Sequence, residues 1–245
     1  MDVRGLADDI AGTAKVLNRV ARGLTRFDTA EMLRSFVEFG EASIPIVALT
    51  AAFCGAIMVV QGAFYVQKLG VYDFVGWYTG FATFREVGPV LIGLMFSGRV
   101  GARHASELAS MQATEQIDAL RVLALDVYEL LIVPRVISMT VSLVVLVILG
   151  DFVAIASGAI TAKLMIGLDA GHFFRSMNAA LGAADVIMGI IKAAAFGFFI
   201  AVIATNQGLN AKKDSQGVGR AVNAQVVAAA IGIFFADYVI TVLLA

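Results

Sequence analysis

Six charged residues stand inside or beside long apolar runs: Arg85, Glu86, Asp151, Asp185, Lys192 and Asp237. A charged side chain near bilayer depth costs about 2.5–3.5 kcal/mol on insertion scales, so it faces a cavity, a partner or a counter-charge. The adjacent Arg85-Glu86 pair carries both signs. It can staple helices as an ion pair, or meet lipid head groups in a substrate path. Asp185 and Lys192 are seven residues apart and share one helix face. Such groups can serve a proton relay in an ion-coupled carrier, or pair with each other and with Arg85-Glu86 to fix helix packing. No acidic pair among them has a tight spacing.

Chemistry of other kinds lacks its residues. There is no G-x-x-x-x-G-K-[ST] loop to cradle nucleotide phosphates. His104 and His172 are the only histidines, and with Cys54 they make no metal-ligand spacing. No nucleophile elbow occurs. The expectation is therefore a chain that is not an enzyme, with no catalytic residue, metal or cofactor. Its energy would come from a partner ATPase or an ion gradient.

Positioning charges in apolar surroundings requires a membrane-spanning frame, and the composition supplies one. Of 245 residues, 60% are hydrophobic and 15% charged, against about 45–50% and about 25% in soluble domains. Gly 24 and Pro 3 suit helices that approach closely in lipid. A net charge of −1 gives no field for nucleic acid. Cys54 is single and cannot form an internal disulfide. Residues 1–40 lack the apolar core of a signal peptide, and Asp8, Asp9, Asp28, Glu31 and Glu38 argue against a transit peptide.

The expected fold is an all-α integral membrane protein of about five transmembrane helices. Residues 1–40 form an N-terminal amphipathic region: Val3, Leu6, Ile10, Ala14, Leu17, Val20 and Leu24 recur at helical spacing. Lys15, Arg19, Arg22 and Arg26 lie mostly on other faces. That pattern suits a membrane interface with anionic lipid, or a surface helix packed on a soluble partner. Residues 41–245 form the transmembrane domain, with segments at about 44–66, 76–98, 135–166, 183–205 and 222–244. The first either spans or dips and returns, since Gly55 and Gly62 would allow a break. Gly150, Ala154 and Gly158 make a small-residue ladder, for internal packing or a seam between copies.

With a cytoplasmic N-terminus and five crossings, Arg4, Lys15, Arg19, Arg22, Arg26, Arg34, Arg99, Arg103, Arg121, Arg135, Lys212, Lys213 and Arg220 fall on the cytoplasmic side. Only Lys68, Lys163 and Arg175 fall opposite. This positive-inside bias favours a full first crossing and a C-terminus on the far side.

The stretch from Arg99 to Arg121 is polar, rich in small residues and helical in its periodicity. By itself it is an amphipathic loop helix or a helix that engages a cytoplasmic partner. Here the chain resembles the MlaE (YrbE) family, permeases of ABC transporters that work with MCE-domain lipid carriers. The resemblance rests on Arg85-Glu86-Val87-Gly88-Pro89, Ser97-Gly98-Arg99-Val100-Gly101, Glu107-Leu108, Met111, Ala113-Thr114-Glu115-Gln116 and Val133-Pro134-Arg135. It is densest over 85–135 and weaker over 1–40 and 160–180.

The resemblance implies a homodimer bound to two copies of a separate ATPase, into which a coupling helix at about 104–120 inserts. Glu107, Met111, Thr114, Glu115 and Asp118 are then the candidate coupling contacts. It also implies a lipid pocket at the dimer interface, lined by the first, second and last segments. Val60, Gln61, Phe64 and Tyr65 would line its apolar part, with Arg85 and Glu86 at its mouth. The expected partners are the ATPase, a second copy, an MCE-domain protein and phospholipid or a related lipid. The expected place is the inner membrane, with the N-terminus cytoplasmic and the C-terminus periplasmic.

Overall fold

The structure is a computed structural model, and it describes residues 3–23, 28–70 and 72–244. Among them there are eleven α-helices and no strand. They are α1 (Val3–Gly23), α2 (Thr29–Glu41), α3 (Ile44–Leu69), α4 (Asp73–Ala82), α5 (Gly88–Phe96) and α6 (Ala102–Ala113). There follow α7 (Gln116–Val122), α8 (Val133–Ile166), α9 (Ala170–Ala180), α10 (Ala183–Leu209) and α11 (Ser215–Leu244).

Four spans are long and apolar enough to cross a membrane: Ile44–Val66, Tyr128–Ile166, Ala183–Leu209 and Ser215–Leu244. The 34 residues of α8 would measure about 51 Å, so the helix tilts or protrudes from a hydrocarbon core of about 30 Å. The remaining expected segment, about 76–98, is built differently. It belongs to a helical rod in which α4, α5 and α6 are joined by π-helical turns at Thr83–Val87 and Ser97–Gly101. A third π-helical turn, Tyr128–Ile132, leads into α8.

Proline explains two of these turns. Pro89 and Pro134 each follow a π-turn by two residues. Proline brings no N–H and crowds the preceding turn, so the regular ladder cannot run through it. The chain answers with one wider loop each time. The N–H of Gly88 donates to the Thr83 carbonyl, and that of Val133 to the Tyr128 carbonyl.

The first segment is one unbroken helix, without the break at Gly55 or Gly62 that a dip and return would use. Gly55 serves packing instead. A Cβ there would collide with the Ala154 carbonyl oxygen on α8. The Ser157 hydroxyl donates to the Ala52 carbonyl across the same contact at 2.6 Å. Gly158 sits 3.3–3.4 Å, by the same test, from Thr79, Val59 and the Gly55 carbonyl, and Gly150 faces Ile92 and Val47. The ladder Gly150–Ala154–Gly158 is therefore internal packing.

Helices α8 and α10 form the middle of the bundle, with Met139, Leu143, Leu146, Phe196 and Ile200 buried at their contact. Helix α11 presents only a narrow small-residue seam (Gly217, Ala221, Gln225, Ala229, Ile233, Ala236). Its other side exposes Phe234, Phe235 and Tyr238. Helix α3 likewise exposes Leu49, Phe53, Ile57, Val60 and Phe64. In lipid such faces cost nothing.

Residues 1–40 divide into two helices. Asp28 caps α2, accepting from the Ala30 N–H at 2.8 Å. The Ser138 hydroxyl of α8 donates to the Met32 carbonyl at 2.6 Å, holding α2 along α8. Helix α1 buries Val16 and Val20 near the end of α10. Ala14 and Leu17 stay exposed beside that contact. The apolar stripe is thus split between packing and a bare edge. Leu24 and Arg26 lie outside the described residues, as do the side chains of Val3, Leu6 and Ile10.

Candidate functional site: a charge ladder beside an aromatic face

Five of the six charges in apolar surroundings meet in one chain of contacts across three elements. Asp185 accepts from Arg85 at 3.2 Å. Arg85 lies 3.9 Å from Glu86. Lys192 contacts Glu86 at 2.6 Å and Asp237 at 2.8 Å. The order Asp185–Arg85–Glu86–Lys192–Asp237 alternates sign and links the first π-turn to α10 and α11. Three carboxylates face two cations, so the ladder carries a net charge of −1. Lys192 is 0% exposed, whereas Glu86 keeps a third of its side chain open.

Local structure places each member. The π-turn puts Arg85 and Glu86 in the widened part of the rod, where α10 and α11 both reach them. Gly189 lets α10 approach: a Cβ there would collide with the Phe84 carbonyl. Asp185 does two jobs, since its Oδ2 accepts the Gly182 N–H at 2.9 Å and caps α10 while Oδ1 holds Arg85. Of the two roles open to these charges, mutual pairing thus holds for Asp185, Lys192 and Asp237. It fails for Asp151, which is buried elsewhere and forms no ion pair among the described residues.

From this ladder an aromatic series runs to the C-terminal part of α3. Arg85 lies 5.3 Å from the Phe81 ring centroid, in the range of cation–π attraction. Phe81 stacks on Trp77 at 5.7 Å, Trp77 meets Phe74 at 5.6 Å, and Phe74 stacks on Tyr78 at 5.5 Å. Phe74 then meets Tyr65 at 6.5 Å and Tyr65 meets Phe64 at 5.7 Å. The structure therefore joins Phe64 and Tyr65 to Arg85 and Glu86 through Phe74, Trp77 and Phe81, with Tyr78 stacked at the side of Phe74, and sequence reasoning singled out none of these four. Their spacing (74, 77, 78, 81) is a one-face helical pattern and was the available signal. Val60 and Gln61 are exposed on the same helix as Phe64 and Tyr65.

The polar stretch at the other end holds a second set of groups. The single helix expected over about 104–120 is two helices. Helix α6 ends at Ala113, and Glu115 takes a left-handed φ of 59° before α7. Helix α6 is packed inward, with His104, Ala105, Leu108 and Ala109 buried. Gly208 of α10 admits it closely, since a Cβ at 208 would lie 2.6 Å from Leu108.

Of the candidate coupling residues, Glu107 faces the bundle, bound to Arg103 and Arg135 at 2.8 Å each. Met111 packs partly buried against the core. Thr114 and Glu115 are exposed at the tip, and Asp118 is beside them, held by Lys213 at 2.7 Å and Arg121 at 3.0 Å. The Lys213 hydrogen bond and charge hold the Asp118 carboxyl below its usual range. Val122 and Leu123 project beyond, 86% and 69% exposed, with Leu125 also exposed. Glu115 and Ala124 are the non-glycine residues with positive φ among the described residues, and they bracket α7. Such conformations are uncommon without surrounding constraint.

Arg135 also approaches Glu31 at 3.8 Å, and Arg103 pairs with Glu38. This network ties α2 to α6 and α8. His104 lies underneath it. The Thr205 hydroxyl donates to the Ala201 carbonyl, so His104 Nε2–H donates to Thr205 at 3.1 Å. Burial, with Arg135 nearby, pushes its pKa down to about 3.

A protein-family model described as permease MlaE matches residues 32–243. The chain belongs to the MlaE permease family. This MlaE-family permease is 36% identical over 210 residues to a probable ABC transporter permease protein of Rickettsia conorii, covering 86% of this chain and 81% of that one. It is 32% identical over 238 residues to the chloroplastic protein trigalactosyldiacylglycerol 1 of Arabidopsis thaliana, covering 97% and 67%. It is 30% identical over 206 residues to the intermembrane phospholipid transport system permease protein MlaE of Haemophilus influenzae, covering 84% and 79%. The matched region begins within α2 and ends near the close of α11, so it contains the ladder, the aromatic series and the tip.

Proposed function

We propose that this permease is the membrane subunit of an ABC transporter that moves phospholipid or a related hydrophobic molecule. The observation that carries the reading is the join of ladder and aromatic face. An amphiphile needs an apolar surface for its chains and fixed charges of both signs for its head group. Val60, Gln61, Phe64 and Tyr65 supply the first, and Arg85 and Glu86 the second.

One protomer leaves this path open on its side, because the outer faces of α3 and α11 are bare. Two copies related by a two-fold axis would close it into a cavity. A separate ATPase would bind the tip through Thr114, Glu115 and Asp118, with Val122 and Leu123 as apolar contacts. Glu107 and Met111 would then stand one layer behind, passing motion from α6 to α2 and α8. On this reading the chain lies in the inner membrane, with the tip and N-terminus cytoplasmic and the C-terminus periplasmic. Helices α1 and α2 would rest in the interface, and an MCE-type carrier would exchange lipid at the opposite end.

An ion-driven carrier has no use for such a tip. Moreover, two of its candidate carboxylates, Asp185 and Asp237, are held by Arg85 and Lys192.

The test is purification in mild detergent with mass spectrometry of co-purifying proteins and lipids, for the native chain and for Glu115→Lys with Asp118→Lys. An ATPase and phospholipid with the native chain, and the ATPase lost from the variant, is the expected result. A native chain that purifies folded without any ATPase contradicts the reading.

A further inference from the structure

A cavity of about 580 Å³ lies between α1, the C-terminal end of α10 and the π-turn before α8, apart from the ladder and the aromatic series. Small-molecule sites commonly measure about 300–1,000 Å³. Lys15, Asn18, Arg19 and Arg22 line the space from α1. They stand at i, i+3, i+4 and i+7, so one helix face carries three cations and an amide. Tyr128 and Asn210 line it from the other side. Gly12 sets the spacing: a Cβ there would collide with Asn206 Oδ1, so a glycine lets α1 approach α10.

Among the described residues, Lys15, Arg19 and Arg22 form no ion pair. The Arg19 guanidinium lies 4.9 Å from the Tyr128 ring centroid, a contact that orients the cation without neutralising it. An adjoining cavity shares Arg19, Tyr128 and Leu209, and adds Arg121 and Asp126. Arg121 is paired with Asp118. Asp126 is the one acid among the described lining residues of the two spaces, and its Oδ1 accepts the Tyr128 N–H at 2.8 Å. The C-terminus of α10 adds about half a negative charge through its dipole. Three cations against one carboxylate and that half charge leave the groove net positive. A phosphate fits such a lining, since its oxygens accept from guanidinium, ammonium and carboxamide together. Apolar surface beside the charges favours a phosphate that carries acyl chains. Leu17 is 43% exposed on α1, and Leu209 lines the groove itself. Basic pockets between membrane helices on the cytoplasmic side take anionic lipid head groups. A zwitterionic head group would leave the surplus charge in place.

We propose, on the reading that α1 rests in the cytoplasmic interface, that this groove binds the head group of an anionic phospholipid, at a site separate from the transport path. Lys15, Arg19 and Arg22 hold the phosphate. One bound head group then joins α1 to the end of α10 and to the Tyr128 turn that leads into α8. It fastens the N-terminal helix beside the tip, whose Arg121 borders the adjoining cavity.

The test is native mass spectrometry of the full-length chain in neutral detergent, titrated with dioleoylphosphatidylglycerol or with dioleoylphosphatidylcholine. The native chain is expected to bind the anionic lipid at least about tenfold more tightly, as two or more basic groups at a membrane surface would give. Lys15→Gln with Arg22→Gln should lose most of that preference and keep the native affinity for phosphatidylcholine. Asn18→Asp, which puts a negative charge on the same face, should also reduce the preference and decides the matter if the double variant does not fold. Equal affinity of the native chain for the two lipids overturns the proposal, as does a folded variant that keeps the full preference. Displacement of phosphatidylglycerol by an equal concentration of inorganic phosphate also overturns it, and assigns the groove to a free anion. Neither ATPase nor transport enters this measurement, so a negative result leaves the permease reading to its own co-purification test.

Discussion

The molecule carries two charge clusters of similar make-up in different surroundings. The ladder Asp185–Arg85–Glu86–Lys192–Asp237 lies within the apolar bundle, with Lys192 fully buried. The network Glu31–Arg135–Glu107–Arg103–Glu38 lies at the tip end, with Arg103 half exposed. Both alternate sign, and both tie three helices. Buried pairs are often no more stabilising than apolar residues of the same shape, because desolvation offsets attraction. Half-exposed pairs are cheap to keep and are screened by salt. A fold that needed only a clamp would use the second kind. On the proposed function, the first kind in the spanning region would serve a charged ligand.

The largest effect is expected from Lys192→Met. It leaves Glu86 and Asp237 without their shared cation, and should cost about 3–5 kcal/mol. The check is folded yield and thermal unfolding in detergent. Adding Glu86→Gln and Asp237→Asn to it removes the uncompensated charge, and should recover most of that loss. Failure to recover would mean that the ladder is needed for stability itself.

Glu107→Ala should cost less, about 1–2 kcal/mol, because Arg135 keeps Glu31, and Arg103, half exposed, keeps Glu38. Its effect should shrink at high salt when unfolding is followed at several ionic strengths. His104 gives a pH-dependent contrast. Its folded pKa is depressed to about 3 from 6.5, so between those values the unfolded chain binds a proton that the folded chain refuses. Stability should therefore fall as pH drops from 6.5 toward 3, and His104→Gln should flatten that part of the curve.

Asp118→Asn is expected to be the mildest change. Its partner Lys213 is exposed, so global stability should stay unaltered while hydrogen exchange at the tip quickens. Because the folded Asp118 pKa is lowered by Lys213, the native tie persists above the ordinary carboxylate value of 3.8 and is lost as pH falls through the depressed one.

Apolar runs and caps made the frame readable. The first, third, fourth and fifth segments were legible as runs between charged stretches, and Gly70 and Gly167 end α3 and α8 with φ of 70° and 66°. The second segment was legible as apolar but not as interrupted, because π-turns leave no periodicity of their own. Only Pro89 and Pro134, read as breaks in a hydrogen-bond ladder, could have signalled two of them. Arg85 and Glu86 stood out by cost alone. Their partners did not, since Lys192 is over a hundred positions away and Asp237 lies on another helix. The division of 104–120 at Glu115 was hidden because residues of ordinary helix propensity adopt a left-handed turn there for tertiary reasons.

Transport as proposed requires the ladder to meet lipid, and one measurement addresses that directly. Nucleotide-driven transfer of a labelled phospholipid would be followed in vesicles holding the native assembly, or the assembly with Glu86→Gln, Lys192→Met and Asp237→Asn together. The variant is predicted to fold, retain the ATPase and hydrolyse ATP, while transfer falls at least about tenfold, which corresponds to about 1.4 kcal/mol. Transfer at the native rate with the charges removed would contradict the account and reduce the ladder to a clamp between helices.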